Sequence, residues 1–110
     1  MLNLGHTIGH AIEKLTHDVN HGEAVAMGLV LIARAAARHG IFTEDDAKRI
    51  ESLLQRLGFA TTPPMALTNI LREVRHDKKK RDNILRVVLP EAIGHCRVEE
   101  MPFDEFERLF

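Results

Sequence analysis

Apolar residues recur at helical spacing through most of the chain. Leucine, isoleucine and alanine at steps of three and four predict a first helix over residues 3–16. Residues 22–39 are apolar on nearly every side and predict a second helix, with Gly40 as its C-terminal stop. A helix that is apolar on every side must be buried on every side by other parts of a protein. It is therefore predicted to be the central helix of a bundle, or to bury part of its surface against another domain or subunit.

Two more helices are predicted after the second. Thr43 precedes three acidic residues, as an N-cap does, so a third helix is expected from there to about Leu57, ending at Gly58. The prolines of "TTPP" (residues 61–64) force a non-helical link, because the residue before a proline avoids helical geometry. A fourth helix is predicted over about residues 65–74 from its apolar spacing.

The C-terminal third contains the predicted β-structure. The charged run "RHDKKKRDN" (residues 75–83) is expected to be a solvated turn. Residues 84–90 and 94–100 carry β-branched side chains and flank a short turn, which predicts a hairpin. Pro102 marks the start of a last helical turn or two. The predicted fold class is mainly α: a helical bundle with a short β-hairpin near the C-terminus, in one domain over residues 1–110.

Composition and charge exclude several functions. Lys plus Arg is 15 against 16 for Asp plus Glu, so no overall field attracts nucleic acid or an anionic membrane, and the absence of Trp and Tyr leaves few stacking surfaces. The single cysteine, Cys96, excludes an intramolecular disulfide and fits a reducing compartment. The most apolar run, residues 24–33, is about half of a membrane span of roughly 20 residues. A cytoplasmic protein that binds neither nucleic acid nor membrane is expected.

Four of the seven histidines are crowded near the N-terminus. His6, His10 and Glu13 share one stripe of the first predicted helix, and His21 follows after a turn. Two or three imidazoles with a carboxylate form a typical zinc or cobalt site with an open position. The alternative is that the histidines cap helices or lie on the surface, and a lone HxxxH pair favours that alternative. For His17, His39, His76 and His95 we keep the surface interpretation.

Two details favour a site at this position. A polar stripe on an otherwise apolar helix is costly unless it lines a cleft. His21 and Glu23 also flank Gly22 at the start of the apolar second helix, where a backbone can be approached closely.

The residues themselves resemble a known family. Four segments resemble, in order and at similar spacings, the C-terminal half of the 3-dehydroquinate synthase family: "LNLGHTIGHAIE" (residues 2–13), "HGEAVAMG" (21–28), "DKK" (77–79) and "LPEAIG" (89–94). The resemblance covers essentially the whole chain, and "GHTxGHAIE" followed by "HGEAV" is specific to the sugar-phosphate cyclase group.

The resemblance implies a phosphate-eliminating lyase. Members use NAD and one divalent metal, zinc or cobalt, to convert 3-deoxy-D-arabino-heptulosonate 7-phosphate to 3-dehydroquinate and phosphate, in the shikimate pathway of aromatic amino acid biosynthesis. The family reaction is a transient oxidation of a ring hydroxyl, elimination of phosphate, reduction of the ketone, ring opening and an aldol closure.

Site roles follow from the family motifs. The resemblance implies that His6 and His21 are metal ligands, with a third ligand, a glutamate, in the family's N-terminal half. It implies that His10 contacts the substrate and handles a proton, a role that suits a neutral imidazole. Asn3 is the implied substrate-binding asparagine.

The "DKK" motif and two glutamates complete the implied site. Lys78 is the implied contact to the substrate phosphate, with its neighbour Lys79 as the alternative, whereas Arg75 and Lys80 are expected to be solvated. A lysine is a compact charge on a long arm, which suits a leaving phosphate. Glu23 is expected to stabilise the start of the second helix, and Glu13 to orient a histidine as a hydrogen-bond acceptor.

The family pattern extends beyond this chain. Its N-terminal half has an NAD-binding α/β domain, and the chain shows no GxG motif after a strand. Residues 1–110 are therefore expected to be a C-terminal domain without its NAD-binding domain, inactive alone, weakly zinc-binding, and able to self-associate through uncovered surface of the second helix. The alternatives are another sugar-phosphate cyclase, of inosose or valiolone type, and a non-catalytic helical module for metal binding or association.

Overall fold

A helical bundle with a β-hairpin forms the molecule, as predicted. The computed structural model describes the backbone of residues 6–80, 84–92 and 95–110, and the side chains of residues 7–77 and 100–110. Its elements, in chain order, are α1 (His6–Leu15), α2 (His21–Arg38), α3 (Glu44–Arg56), α4 (Leu67–Lys80), β1 (Ile84–Ala92), β2 (His95–Pro102) and α5 (Phe103–Arg108).

The helix α2 is the centre of the bundle. Nine of its 18 residues are buried, and it packs against α1, α3 and β1. It ends where Gly40 takes the left-handed φ of 75° that glycine adopts without strain. Among the residues with described side chains, the exposed large apolar ones are Leu15, Leu53 and Leu57, on or next to other helices, while Val25, Leu29 and Leu31 of α2 are partly buried. Self-association through α2 therefore stays a prediction.

The main core joins four helices. Side chains at most 1% exposed come from α1, α2, α4 and α5, and the largest are Ile8, Ile12, Met27, Ile70 and Phe106. Full burial of such a side chain contributes about 1.5–3 kcal/mol. This core fixes α1 against α2 and α4, and α1 and α2 carry the predicted histidines.

The helix α3 lies at the edge of the bundle. Its predicted cap is confirmed, because the Thr43 hydroxyl accepts a hydrogen bond from the Asp46 N–H at 3.1 Å. The chain leaves it through Gly58, with a φ of 92°. Ala47, which is 6% exposed, is its one buried residue, so α3 contributes little to the core.

The helix α4 is longer than predicted. The charged run was expected to form a solvated turn, but residues 75–80 continue the helix. They contain neither Gly nor Pro, and Lys and Arg are good helix formers. Two contacts also hold this extension: Lys14 Nζ lies 2.9 Å from Asp77 Oδ1, and the exposed Arg75 guanidinium stacks 5.9 Å from the centre of the Phe103 ring.

The predicted hairpin is confirmed. The strands β1 and β2 pair antiparallel in a two-stranded sheet, with Val88 opposite Val98 and an irregularity between Pro90 and Ala92. Pro102 then begins α5, as predicted. Within the described residues, no helix is long and apolar enough to cross a membrane.

Candidate functional site

The start of α2 is built by a reciprocal cap. The Asn20 side-chain oxygen accepts from the Glu23 N–H at 2.8 Å, and Glu23 Oε1 accepts from the Asn20 N–H at 3.1 Å. This capping box satisfies two backbone donors at the helix start. The role predicted for Glu23 is confirmed. Its partner Asn20 was not predicted, although Asn-x-x-Glu before an apolar run is a readable signal.

A close backbone contact joins α1 to α2 next to the histidines. A Cβ atom on Gly9 would lie only 2.9 Å from the Ala24 carbonyl oxygen, so any side chain there would push the two helices apart. Glycine is required because the backbones approach so closely. This contact sets the spacing between His10, beside Gly9, and His21, one turn before Ala24.

One histidine pairs with a carboxylate across this contact. His21 Nδ1 lies 3.2 Å from each carboxylate oxygen of Glu13. The His21 side chain is 70% exposed and that of Glu13 is 33% exposed. Glu13 was expected to orient a histidine, and the structure brings the two together at the exposed end of the α1–α2 pair.

His10 lies on the surface of α1. It is exposed, one turn before Glu13, and both lie outside the buried face formed by Ile8, Ala11 and Ile12. The polar stripe predicted for α1 is therefore present for these two residues. His17, His39 and His76 are exposed, as expected for surface histidines.

The remaining predicted site residues lie outside the described side chains. These are Asn3, His6, Lys78 and Lys79, and the same holds for His95. Among the described residues, no group of three or more His, Cys, Asp or Glu is arranged to hold a metal ion. The ligand pair of His6 and His21 is therefore still a prediction.

An unpredicted ion pair connects α1 to α4. Lys14 and Asp77 are 63 residues apart in sequence, and the lysine donates to the aspartate at 2.9 Å. Asp77 immediately precedes Lys78, so this contact ties the helix that carries the predicted phosphate contact to the helix that carries His10. Neighbouring residues of α1, Glu13 and Lys14, thus contact two different helices.

A surface cleft of about 380 Å³ lies beside this ion pair, between α1 and α4. Its lining residues are Leu15, Met65, Asn69, Arg72, Glu73 and His76. None of the predicted site residues with described side chains lines it. Of the predicted site residues, the structure describes the side chains of His10 and His21, with Glu13 beside them.

Comparison with known proteins places the chain in a family. Residues 1–80 match the family model described as 3-dehydroquinate synthase C-terminal. The 3-dehydroquinate synthase of Laribacter hongkongensis is 47% identical over 102 residues, which are 90% of this chain and 28% of that protein. That of Syntrophotalea carbinolica is 42% identical over 104 residues, 92% of this chain and 29% of that protein. The chain thus spans less than a third of the length of these relatives.

Solved structures share the fold. A 2-epi-5-epi-valiolone synthase from Streptomyces hygroscopicus, with NAD⁺ and Zn²⁺ bound, has a TM-score of 0.79 at 23% identity over 97% of this chain and 31% of that one. A 2-deoxy-scyllo-inosose synthase complexed with carbaglucose-6-phosphate, NAD⁺ and Co²⁺ has a TM-score of 0.73 at 24% identity, over 97% and 32%. With the match over residues 1–80, the chain belongs to the 3-dehydroquinate synthase C-terminal family.

Proposed function

We propose that this chain is the metal- and substrate-binding part of a 3-dehydroquinate synthase. The reaction is the conversion of 3-deoxy-D-arabino-heptulosonate 7-phosphate to 3-dehydroquinate and phosphate, in the cytoplasmic shikimate pathway. The observation that carries the proposal is the family match over residues 1–80, because this range contains every predicted site residue. Relatives 37–47% identical over at least 90% of the chain support it.

The residues present fit a divalent metal. A metal-binding histidine typically donates its other ring N–H to a carboxylate, and His21 has the Glu13 carboxylate 3.2 Å from Nδ1. His21 and His6 would hold zinc or cobalt, with a glutamate from another part of the whole protein. A divalent metal held by these residues would supply Lewis-acid polarisation of the hydroxyl that NAD oxidises.

The other residues handle the substrate. His10, exposed on α1, moves a proton between the substrate and solvent, which a neutral imidazole does near neutral pH. Lys78 anchors the phosphate and stabilises it as it leaves, and Asn3 donates to and accepts from the substrate hydroxyls. The Lys14–Asp77 ion pair supports this arrangement because it holds α4 beside α1.

The proposal requires an NAD-binding domain, and we expect no turnover from these 110 residues alone. The test mixes the chain with a separately expressed N-terminal part of the Laribacter hongkongensis enzyme, NAD, zinc and the keto-acid sugar phosphate, and measures phosphate release. Phosphate release is expected only from the mixture.

In that mixture His10→Ala should lower kcat by about 10²–10⁴-fold, the usual contribution of a general acid–base group. The matched control, His17→Ala in the exposed loop, should leave kcat unchanged. A mixture that binds the chain and releases no phosphate would contradict the proposal.

A second candidate is another sugar-phosphate cyclase, which the structural similarity to valiolone and inosose synthases favours. Offering the same mixture sedoheptulose 7-phosphate or glucose 6-phosphate separates the two. Turnover of either, without turnover of the keto-acid substrate, would support this second candidate. Zinc binding without turnover of any of the three substrates would support a non-catalytic metal-binding module.

A further inference from the structure

We propose that Glu13 is a positioning residue that holds His21 in a single tautomer, with the proton on Nδ1 and the lone pair on Nε2. The metal part of this inference rests on the proposed function. The tautomer itself does not, because it follows from the contact between the two side chains.

The chemistry of the pair fixes the proton. Both Glu13 carboxylate oxygens lie 3.2 Å from His21 Nδ1. An ionised carboxylate accepts hydrogen bonds and donates none, so Nδ1 must be the donor. A neutral imidazole carries one N–H, which leaves Nε2 as the acceptor. Nε2 would therefore be the nitrogen through which His21 holds a metal.

The backbone holds both partners in place. Glu13 lies in α1 and His21 is the first residue of α2, so both belong to regular helices. The Gly9–Ala24 contact sets the distance between these helices, and the Asn20–Glu23 capping box fixes where α2 begins. A pair carried by such elements keeps its geometry more precisely than a pair on loops.

Stability does not account for this contact. The His21 side chain is 70% exposed, and exposed ion pairs have little measurable effect on folding because water screens them. A contact with little effect on folding still biases which ring nitrogen of His21 carries the proton. We therefore assign the pair to the tautomer and orientation of the His21 ring, and not to folding stability.

The first test reads the tautomer without metal. Long-range ¹H–¹⁵N NMR spectra of the ¹⁵N-labelled chain, recorded in mildly alkaline buffer, distinguish Nδ1–H from Nε2–H. Wild type should show His21 as Nδ1–H. Glu13→Ala should convert it to a mixture or to Nε2–H, whereas Glu13→Gln should keep Nδ1–H because the amide oxygen still accepts. An identical His21 pattern in wild type and Glu13→Ala would overturn the proposal.

A matched control excludes a general effect of losing a carboxylate. Glu51 pairs with Arg34 at 2.6 Å on the other side of α2. Glu51→Ala removes a similar helical glutamate ion pair and should leave the His21 tautomer unchanged. A changed tautomer in this variant would mean that the effect does not come from Glu13. Circular dichroism verifies that each variant is folded.

The second test measures zinc affinity by calorimetry. Glu13→Ala should weaken binding about 10–100-fold, the usual effect of losing a carboxylate behind a metal-binding histidine, and Glu13→Gln should weaken it less. If wild type binds zinc and Glu13→Ala binds it equally well, the positioning role is wrong and the metal function stands. If wild type binds no zinc while its tautomer depends on Glu13, the two histidines are not sufficient to hold zinc in this chain and the orientation stands.

Discussion

The central helix α2 meets α1 and α3 in two different ways. Toward α1 the backbones touch at Gly9, and large side chains such as Ile12 are fully buried. Toward α3 the small buried residues Ala33, Ala36 and Ala47 surround Phe42, and an exposed ion pair joins the helices. The candidate site lies on the α1–α2 side. The difference indicates that the candidate site lies on two helices whose separation is set by a direct backbone contact.

The largest effect should come from the core of the α1–α2 contact. Ile12→Ala removes a side chain that is 0% exposed, and its cavity should cost about 2–5 kcal/mol in the free energy of unfolding. Ile50→Ala makes the same change at the α3 contact, where Ile50 is only partly buried, and should cost less than about 2 kcal/mol. Urea unfolding measures both. Equal losses of unfolding free energy in the two variants would contradict the stated difference between the α1 and α3 contacts.

The close backbone contact should be next. Gly9→Ala places a methyl group 2.9 Å from the Ala24 carbonyl oxygen, and the required shift should cost about 1–3 kcal/mol. Zinc affinity should fall with it, since His21 moves relative to α1. Gly22→Ala is the matched control: its methyl group meets the Phe59 ring at 3.3 Å, which can rotate away, so the loss should stay below about 0.5 kcal/mol. A neutral Gly9→Ala would show that α1 and α2 are not held by their backbones.

The N-caps of α2 and α3 allow a direct comparison of the two helix starts. Asn20→Ala and Thr43→Ala each remove one N-cap oxygen and should each cost about 0.5–2 kcal/mol, measured by thermal unfolding. Only Asn20→Ala should also weaken zinc binding, because it releases the turn that carries His21. Equal stability losses with a loss of zinc affinity only in Asn20→Ala would support a candidate site on the α1–α2 side. A loss of affinity in Thr43→Ala would contradict the assignment of the site to the α1–α2 side.

The ion pair between α2 and α3 should contribute less. A double-mutant cycle of Arg34→Ala and Glu51→Ala should give a coupling of about 0.2–1 kcal/mol, and added salt should reduce it. Unfolding in urea at low and high ionic strength measures the coupling. A value above 2 kcal/mol would show that this contact, and not alanine packing, holds α3.

The smallest effect is expected on the outer face of α3. Leu57 is 64% exposed, so Leu57→Gln should change stability by less than about 0.5 kcal/mol. Leu53, 55% exposed, lies one turn before it. Analytical ultracentrifugation of the wild type and of Leu57→Gln tests whether the chain self-associates through these leucines. Dissociation of an oligomer by Leu57→Gln would identify this face as the contact, and α3 would then be less peripheral than it is within one chain.

The candidate site could be predicted in part. The motif resemblance named His10 and His21, which lie at the surface, and the preference of carboxylates for helix starts named Glu23, which lies in the cap of α2. The cap role of Asn20 could have been predicted from the local pattern Asn-x-x-Glu. The packing role of Gly9 could not, because a glycine inside a helical pattern does not reveal what packs against it.

Local chemistry is what the sequence by itself determined. Gly40 and Gly58 end helices, Thr43 begins one, and β-branched runs form the hairpin, because each depends on backbone geometry within a few residues. The end of α4 escaped this reasoning: residues 75–80 of the charged run are helical, and Lys14 reaches Asp77 from 63 residues away.

Only the tertiary structure decided which side chains meet. The motif places Glu13 three residues after His10, but the pairing of Glu13 with His21 exists because α1 and α2 pack with a glycine between them. Likewise, Lys14 finds Asp77 because the shared core brings α4 beside α1. Sequence spacing describes the faces of single helices, whereas the distance between helices depends on the volumes that fill the space between them.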